Sequence, residues 1–328
     1  MRSIFAASVM AAVSIAEPML SHEFEFMKFV ADWNKSYATR EEFMFRMGEW
    51  LKTEAFIQEV NAHDSEHTHT AGHNKFSDMT REEYKRFLTL PKTDVLPVPP
   101  MDDEEEYVPN GSKDWRTGNC VTAVKNQEQC GSCYAFSATE TVESSYCIHQ
   151  GGKLWTLSPQ QIVDCSQQYG NQGCNGGWYF YAWNYLQSHG QEEESAYPYK
   201  GKQTSCTYNA SAGKVKTTSQ GTHIGQSSSA IMRALDGEPV SVAIDAEQYV
   251  FQTYQSGTIT SSSCGTSMDH AVAAVGYNSS ANPPYYIVRN SWGASWGDKG
   301  YVQIEATSSG KGICGINQMV YSVETKTA

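Results

Sequence analysis

The run Gln127-Glu128-Gln129-Cys130-Gly131-Ser132-Cys133-Tyr134-Ala135-Phe136-Ser137 joins a thiol to the mouth of a helix. After Cys133, the residues Ala135, Phe136, Ala138, Val142, Tyr146 and Ile148 recur at roughly helical spacing and stop at Gly151-Gly152, which predicts a helix from Cys133 to Gln150. A helix N-terminus carries unpaired N–H groups and the positive end of the macrodipole. Both favour an anion, so a cysteine in the first turn titrates below its ordinary value of about 8.5. A reactive thiolate is one outcome for Cys133, and an inert, buried small hydrophobe is the other.

Two downstream segments decide between them. Met268-Asp269-His270-Ala271-Val272-Ala273-Ala274-Val275-Gly276-Tyr277 sets a histidine at the head of an apolar strand, and Asn290-Ser291-Trp292-Gly293 follows it. A thiol needs a base that holds it as thiolate and later protonates the departing amine, which is imidazole chemistry. The imidazole needs a fixed orientation, and a carboxamide oxygen accepts its second N–H without carrying charge. Taken singly, His270 reads as a satisfied core histidine, Asn290 as a strand end and Trp292 as packing. Taken together, with the pattern Cys-Gly-Ser-Cys-Tyr and a histidine and asparagine following in order, they resemble the papain family of cysteine proteases in its cathepsin L-like branch.

The resemblance covers nearly everything after the leader. It implies catalytic roles for Cys133, His270, Asn290 and Gln127, with Trp292 shielding the His270–Asn290 bond and the Gln127 side chain and Cys133 N–H forming an oxyanion hole. It implies substrate contacts at Gly176, Gly177, Trp178, Tyr179, Ala243, Met268, Ala271, Trp296 and Met319. None of these carries a formal charge, so a hydrophobic residue is expected in the second subsite. It also implies disulfides Cys130–Cys174, Cys165–Cys206 and Cys264–Cys314. Nine cysteines less one nucleophile leave Cys120 and Cys147, either a fourth bridge or two buried thiols. Two positions depart from the family: Tyr134 stands where tryptophan is usual, and Glu128 where glycine is usual. They bear on rate and pH optimum.

The first residues read as a leader. Arg2 precedes the apolar stretch Ile4 to Ile15, which is too short to span a bilayer, and Ser14-Ile15-Ala16 suits signal peptidase. The expected organisation is therefore 1–16 signal peptide, 17–108 inhibitory propeptide and 109–328 mature peptidase, starting near Tyr107 to Asn110. Glu42, Arg46, Trp50, Ile57 and Asn61 fall at helical intervals that resemble the cathepsin L-like propeptide signature, with Thr53 where that signature has asparagine. Gly72, Asn74, Phe76 and Asp78 resemble its second motif. Pro91 to Glu106, rich in proline and acid, reads as a cleavable linker. Between Asn61 and Asn74 four histidines, His63, His67, His69 and His73, cluster. A solvated polar turn, a metal site and an acid-triggered loosening of the propeptide are all open to them.

The mature part divides into a helical lobe, about 115–215, and a β lobe, about 216–320. Helices are expected at Cys133–Gln150, after Ser158-Pro159-Gln160-Gln161 with a reciprocal glutamine cap, and at Trp178–Ser188. Strands are expected at Val240–Ala246, Ala271–Tyr277, Tyr285–Val288 and Tyr301–Ile304. The fold class is α+β, a papain-like two-lobe arrangement with an antiparallel, barrel-like β lobe and a helical propeptide, its cleft walled by Cys133 and His270.

A net charge of −12 over 328 residues excludes general nucleic-acid binding, since no basic stripe is present. No later segment suits a membrane span, and neither cofactor nor metal is called for, because the Cys130/Cys133 pair lacks a second metal-type pair. The expectation is a monomeric endopeptidase of the secretory route, lysosome-like or secreted, whose partners are protein and peptide substrates and its own propeptide. No insertion of the kind that turns this family into exopeptidases is visible. A catalytically silent binding or storage protein on the same scaffold is the alternative from another class. Asn110, Asn209 and Asn278 open glycosylation sequons.

Overall fold

The computed structural model describes residues 22–62, 68–92, 107–109, 111–260, 262–308 and 310–328. The expected leader, His63, His67, Asn110 and the acidic part of the linker lie outside the described residues.

An N-terminal arm comes first. It comprises α1 (22–32), α2 (Arg40–Ala62), β1 (His69–Ala71) and α3 (Arg81–Lys85). The signature residues hold it together. Arg46 reaches α3 and donates to Glu83 at 2.8 Å. Asn61 clasps the Ala71 backbone, accepting its N–H at 3.0 Å and donating to its carbonyl at 2.9 Å. Thr53, where asparagine was expected, still ties α2 to the next motif, because its Oγ1 donates to the Ser77 carbonyl at 2.9 Å. Phe26, Phe29, Met47 and Trp50 form the arm's own small core.

The rest of the chain adds β2 (Ser112–Asp114), α4 (Cys133–His149), α5 (Pro159–Cys165), α6 (Tyr179–Ser188), β3 (Val215–Thr217), β4 (Thr222–His223), α7 (Ser228–Gly237), β5 (Val240–Ile244), α8 (Tyr249–Gln252), β6 (Tyr254–Ile259), β7 (His270–Asn278), β8 (Tyr285–Arg289), β9 (Tyr301–Glu305), β10 (Val320–Ser322) and β11 (Thr325–Thr327). Helix α4 is buried on all sides from Cys133 to Cys147. Its small polar residues are satisfied internally: Ser137 Oγ donates to the Val272 carbonyl at 2.8 Å and Ser145 Oγ to the Val323 carbonyl at 2.7 Å. Ser158 caps α5 by accepting the Gln161 N–H at 3.1 Å. The expected reciprocal bond is not made, because Gln161 donates instead to Tyr185 and Gly190 and accepts from Glu192.

The main sheet runs β1-β6-β9-β8-β7-β5-β10-β4, with β2 on β7, while β3 and β11 pair separately. Its pairs are antiparallel except β6 with β9, which is parallel. That one departure from the expected antiparallel lobe is open to the chain because β7 and β8 lie between the two strands in sequence, a connection long enough for a crossover. The arm adds β1 to the exposed edge of β6, hydrogen-bonding one part of the chain to the sheet of another. Two cores result. One lies in the β lobe and includes Phe76, Tyr84, Phe87 and Leu88 of the arm. The other fills the helical lobe and extends to Ala243, Ala271, Met319 and the arm's Leu90.

All nine cysteines are described. Cys130–Cys174, Cys165–Cys206 and Cys264–Cys314 are bridged, as are Cys120 and Cys147, whose Cα atoms lie 5.4 Å apart. Cys133 alone is free.

His73 sits in the arm with its ring stacked 4.5 Å from Trp50 and Nε2 2.8 Å from Glu54 Oε2. Burial, partly offset by Glu54, pulls its pKa below 6.5. The folded arm thus favours the neutral ring. Its contribution is complete above a pH of about 6.5 and is lost as pH falls from there through the depressed folded value. His73→Gln, which keeps a donor for Glu54 but cannot titrate, is therefore expected to shift acid release of the arm to lower pH. The rate at which a thiol reagent labels Cys133 as a function of pH measures that shift. An unmoved midpoint would assign release to carboxylates such as Glu83, which Arg46 holds near about 2.

Candidate active site

Cys133 begins α4 with Ser132 at the cap position, and its side chain is fully buried. Backbone N–H groups of Ala271, Thr89 and Tyr134 face its sulfur. The first belongs to β7, one residue past His270, so the thiol and the imidazole meet where the two lobes touch. His270 Nε2 donates to Asn290 Oδ1 at 2.8 Å, which leaves Nδ1 as the open ring nitrogen, buried and without a hydrogen-bond partner. The indole of Trp292 stacks on the imidazole at 4.8 Å and 29°. Asn290 Oδ1 is held in turn by the Ser291 N–H at 2.8 Å.

Gln127 is anchored from the β lobe. Its N–H donates to the Ser291 carbonyl at 2.8 Å and its Oε1 accepts from Ser291 Oγ at 2.7 Å. Its Nε2 is thereby turned toward the Cys130 carbonyl at 3.0 Å and the Phe87 carbonyl at 3.2 Å. The two lobes are also tied by buried charge. Arg289 on β8, one residue before Asn290, meets Glu140 on α4 at 3.3 Å.

The arm crosses this site as a strap. Phe87 lies at Gln127, Thr89 at Cys133, and Pro91 at Trp178, whose indole N–H donates to the Pro91 carbonyl at 3.1 Å. Thr89 Oγ1 donates to the Gly131 carbonyl at 2.8 Å, and the Leu90 N–H donates to the Asp269 carbonyl at 3.0 Å. A Cβ on Gly176 would come within 1.8 Å of the Thr89 carbonyl oxygen, so only glycine admits the strap there. Leu90 is buried in one apolar cluster with Trp178, Tyr179, Ala243, Ala271 and Met319, and Met268 packs against it. Tyr179 Oη donates to the Met319 carbonyl at 2.7 Å and so fixes the pocket floor.

Most of the residues chosen from the sequence therefore converge on the strap, but two do not. Gly177 packs toward Asn171, whose Oδ1 would lie 2.1 Å from a Cβ there. Trp296 is 1% exposed in the other core, its ring 5.1 Å from that of Trp292, and it donates to the Gln252 carbonyl. It braces Trp292 from behind and does not line the cleft. Tyr134, the departure beside Cys133, is buried and donates to the Gly173 carbonyl at 3.0 Å. Ser291 and Asp269 were not singled out. Ser291 carries no signal beyond its place next to Asn290, and Asp269 acts through a backbone carbonyl that any residue would supply.

The electrostatics reverse the sequence expectation. Burial pushes the Cys133 thiol up to about 11, against the pull of the three N–H groups. Burial likewise lowers His270 to about 4, although Asn290 favours its charged form. Under the strap the pair is a neutral thiol and a neutral imidazole. The helix-terminus argument omitted the lid, and desolvation of the anion outweighs the dipole when water is excluded.

Residues 109–324 match the family described as papain family cysteine protease, and residues 26–84 match the cathepsin propeptide inhibitor domain (I29). Digestive cysteine proteinase 3 of Homarus americanus is 37% identical over 312 residues, covering 93% of this chain and 94% of that protein. A cathepsin L-like proteinase of Fasciola hepatica is 40% identical over 293 residues, covering 87% and 88%. The solved structure of digestive procathepsin L 3 from the Tenebrio molitor larval midgut superposes with a TM-score of 0.82 at 33% identity, covering 92% of this chain and 99% of that one. Fold, cleft and strap define a cysteine peptidase closed by its own N-terminal domain. The chain belongs to the papain family of cysteine proteases, cathepsin L-like, and carries an I29 propeptide that acts as its intramolecular inhibitor. Among the described residues no helix is long and apolar enough to cross a membrane.

Proposed function

We propose that the chain is an endopeptidase zymogen in which Cys133 is the nucleophile, His270 the base and acid, Asn290 the orienting group and Gln127 an oxyanion donor. One observation carries this reading: the imidazole bonded to Asn290 beneath Trp292 directly precedes the Ala271 N–H that faces the free Cys133 thiol, and a backbone carbonyl of the strap sits on the Gln127 amide. Removing the strap readmits water, and the Ala271 and Tyr134 N–H groups, together with His270, then favour the thiolate–imidazolium pair. The thiolate adds to the scissile carbonyl, and its oxygen takes the place next to Gln127 Nε2 that Phe87 now holds. His270 Nδ1 gives its proton to the leaving amine. Water activated by the same nitrogen then releases the acyl group. The proposed organisation is 1–16 leader, 17–108 propeptide and 109–328 peptidase, made for the secretory route and an acidic or extracellular destination.

The Leu90 pocket supports a preference for hydrophobic side chains at the second residue before the scissile bond. Peptides with Leu, Phe or Val there are expected to outrun those with Arg or Glu by about 10²-fold in kcat/KM, because a charge beside Met319 would be buried unpaired. Met319→Glu is expected to raise cleavage after arginine at that position. Efficient cutting of the arginine peptide by the unaltered enzyme would refute the pocket. The reaction itself is tested by an irreversible, thiol-directed peptide inhibitor on acid-treated protein, which should label Cys133 stoichiometrically.

A further inference from the structure

One end of the strap's path is polar. Beyond Gln127, on the side away from the Leu90 pocket, the arm inserts Lys75 between the lobes. Its Nζ donates to the Trp292 carbonyl at 2.8 Å and to Asn126 Oδ1 at 3.3 Å. Asn126 and Trp292 are themselves bridged backbone to backbone, so these acceptors mark the seam between the lobes. Burial lowers the lysine toward about 8, and the Glu128 carboxylate opposes that shift. Both acceptors and Glu128 lie in the segment that matches the peptidase domain, so they stay when the arm leaves.

Glu128 provides a second, independent observation. It takes a φ of +52°, in the left-handed region that glycine enters freely and other residues enter at a cost of roughly 1–2 kcal/mol. It is exposed, and its carboxylate rests against Gly201. Its own N–H donates to Asn126 Oδ1 at 3.1 Å, so this turn also orients one of the two acceptors that Lys75 meets, and such backbone outliers gather at ligand sites.

We infer that Asn126 Oδ1 and the Trp292 carbonyl, with Glu128 supplying the negative charge of the same turn, form a cation-accepting notch that takes a lysine or arginine side chain of the substrate on the C-terminal side of the scissile bond. The orientation follows from the strap. Its Leu90 end fills the pocket proposed for residues before that bond, Thr89 lies at Cys133, its Phe87 end lies at Gln127, and Lys75 sits on the carbonyl of Trp292, the residue that covers His270. The inference rests on the proposed peptidase reading. Lys75 holds the notch in the zymogen and yields it on activation.

The test uses the acid-processed enzyme and internally quenched peptides with Leu fixed at the second position before the scissile bond. Each of the first three positions after it carries Lys, norleucine or Glu in turn. At one position Lys is expected to exceed norleucine about 5- to 10-fold in kcat/KM, the range for a partly exposed charge with hydrogen bonds, with Glu lowest. The Lys-to-norleucine ratio is expected to fall below about 2 in Glu128→Gly and in 1 M salt, where the Debye length is about 3 Å. Glu128→Gly relieves the backbone, so its melting temperature should hold or rise, which separates a lost charge from a damaged fold. Equal cleavage of all three peptide types at every position, with the norleucine peptide cut normally, overturns the notch alone. Failure to cut even the norleucine peptide overturns the peptidase reading and the notch with it.

Discussion

Cys133→Ala leaves a folded zymogen with peptidase activity lowered by at least about 10⁴-fold after acid treatment, because no neighbouring group replaces a missing nucleophile. The fold should survive, since a buried thiol replaced by a methyl group deletes one atom from the start of α4 and breaks no disulfide. His270→Ala is expected to be comparably severe, because it removes both the base that makes the thiolate and the acid that frees the amine. Asn290→Ala should be milder, near 10- to 10²-fold, as it frees the ring to turn without deleting it. Active-site titration combined with initial rates on one peptide ranks the three. Substantial turnover by Cys133→Ala would remove the assignment, and Asn290→Ala as slow as His270→Ala would show that the carboxamide does more than orient.

The residues of the proposed catalytic centre stand out in the sequence because chemistry restricts them. Few residue types hold a thiolate, shuttle a proton and fix an imidazole, and Cys133, His270 and Asn290 carry flanking residues that mark each. The lobes were legible for a related reason: the apolar runs of β5, β7, β8 and β9 and the punctuation after α4 are local signals. What stayed hidden depends on groups the sequence does not spell out. Asp269, Gly131 and Trp292 meet the arm through carbonyls. Ser291 owes its role to the partner it finds across the seam. Gln161 has the right type for a reciprocal cap, but tertiary contacts with Tyr185, Gly190 and Glu192 claim its amide. The tryptophan at 296 looked equivalent to other cleft aromatics, and only the packing against Trp292 sets it behind the wall. The titration behaviour of Cys133 was misjudged because it is a property of the covered site, whereas the helix terminus is a property of the chain around it.

That covering makes Phe76 the residue whose loss should most disturb latency. Its side chain is fully buried. Its ring meets Tyr84 at 5.3 Å, Phe87 at 5.0 Å and Trp292 at 4.8 Å, all edge to face. Phe76 thus couples the arm's second motif to α3, to the strap and to the indole that covers His270. Neighbouring polar groups hold it there: Asn74 accepts the Phe76 N–H at 3.0 Å and donates to the Gln252 carbonyl at 2.6 Å, and Gln252 donates back to the Phe76 carbonyl at 3.1 Å. Truncating such a ring costs about 3–5 kcal/mol. Because that ring contacts the peptidase as well as the arm, much of the loss falls on docking, and each 1.4 kcal/mol is tenfold in an equilibrium. In the full-length zymogen at neutral pH, Phe76→Ala is therefore expected to speed labelling of Cys133 by a small thiol reagent roughly 10²- to 10³-fold. Phe26→Ala supplies the comparison, because its ring lies in the arm's own core and stacks on Phe29 and Tyr37. It should loosen the arm's helices while labelling rises less. Equal acceleration by the two variants would mean that latency follows the arm's folding as a whole. Greater acceleration in Phe76→Ala would locate the latch at the contact with Trp292, where the arm meets the cover of His270.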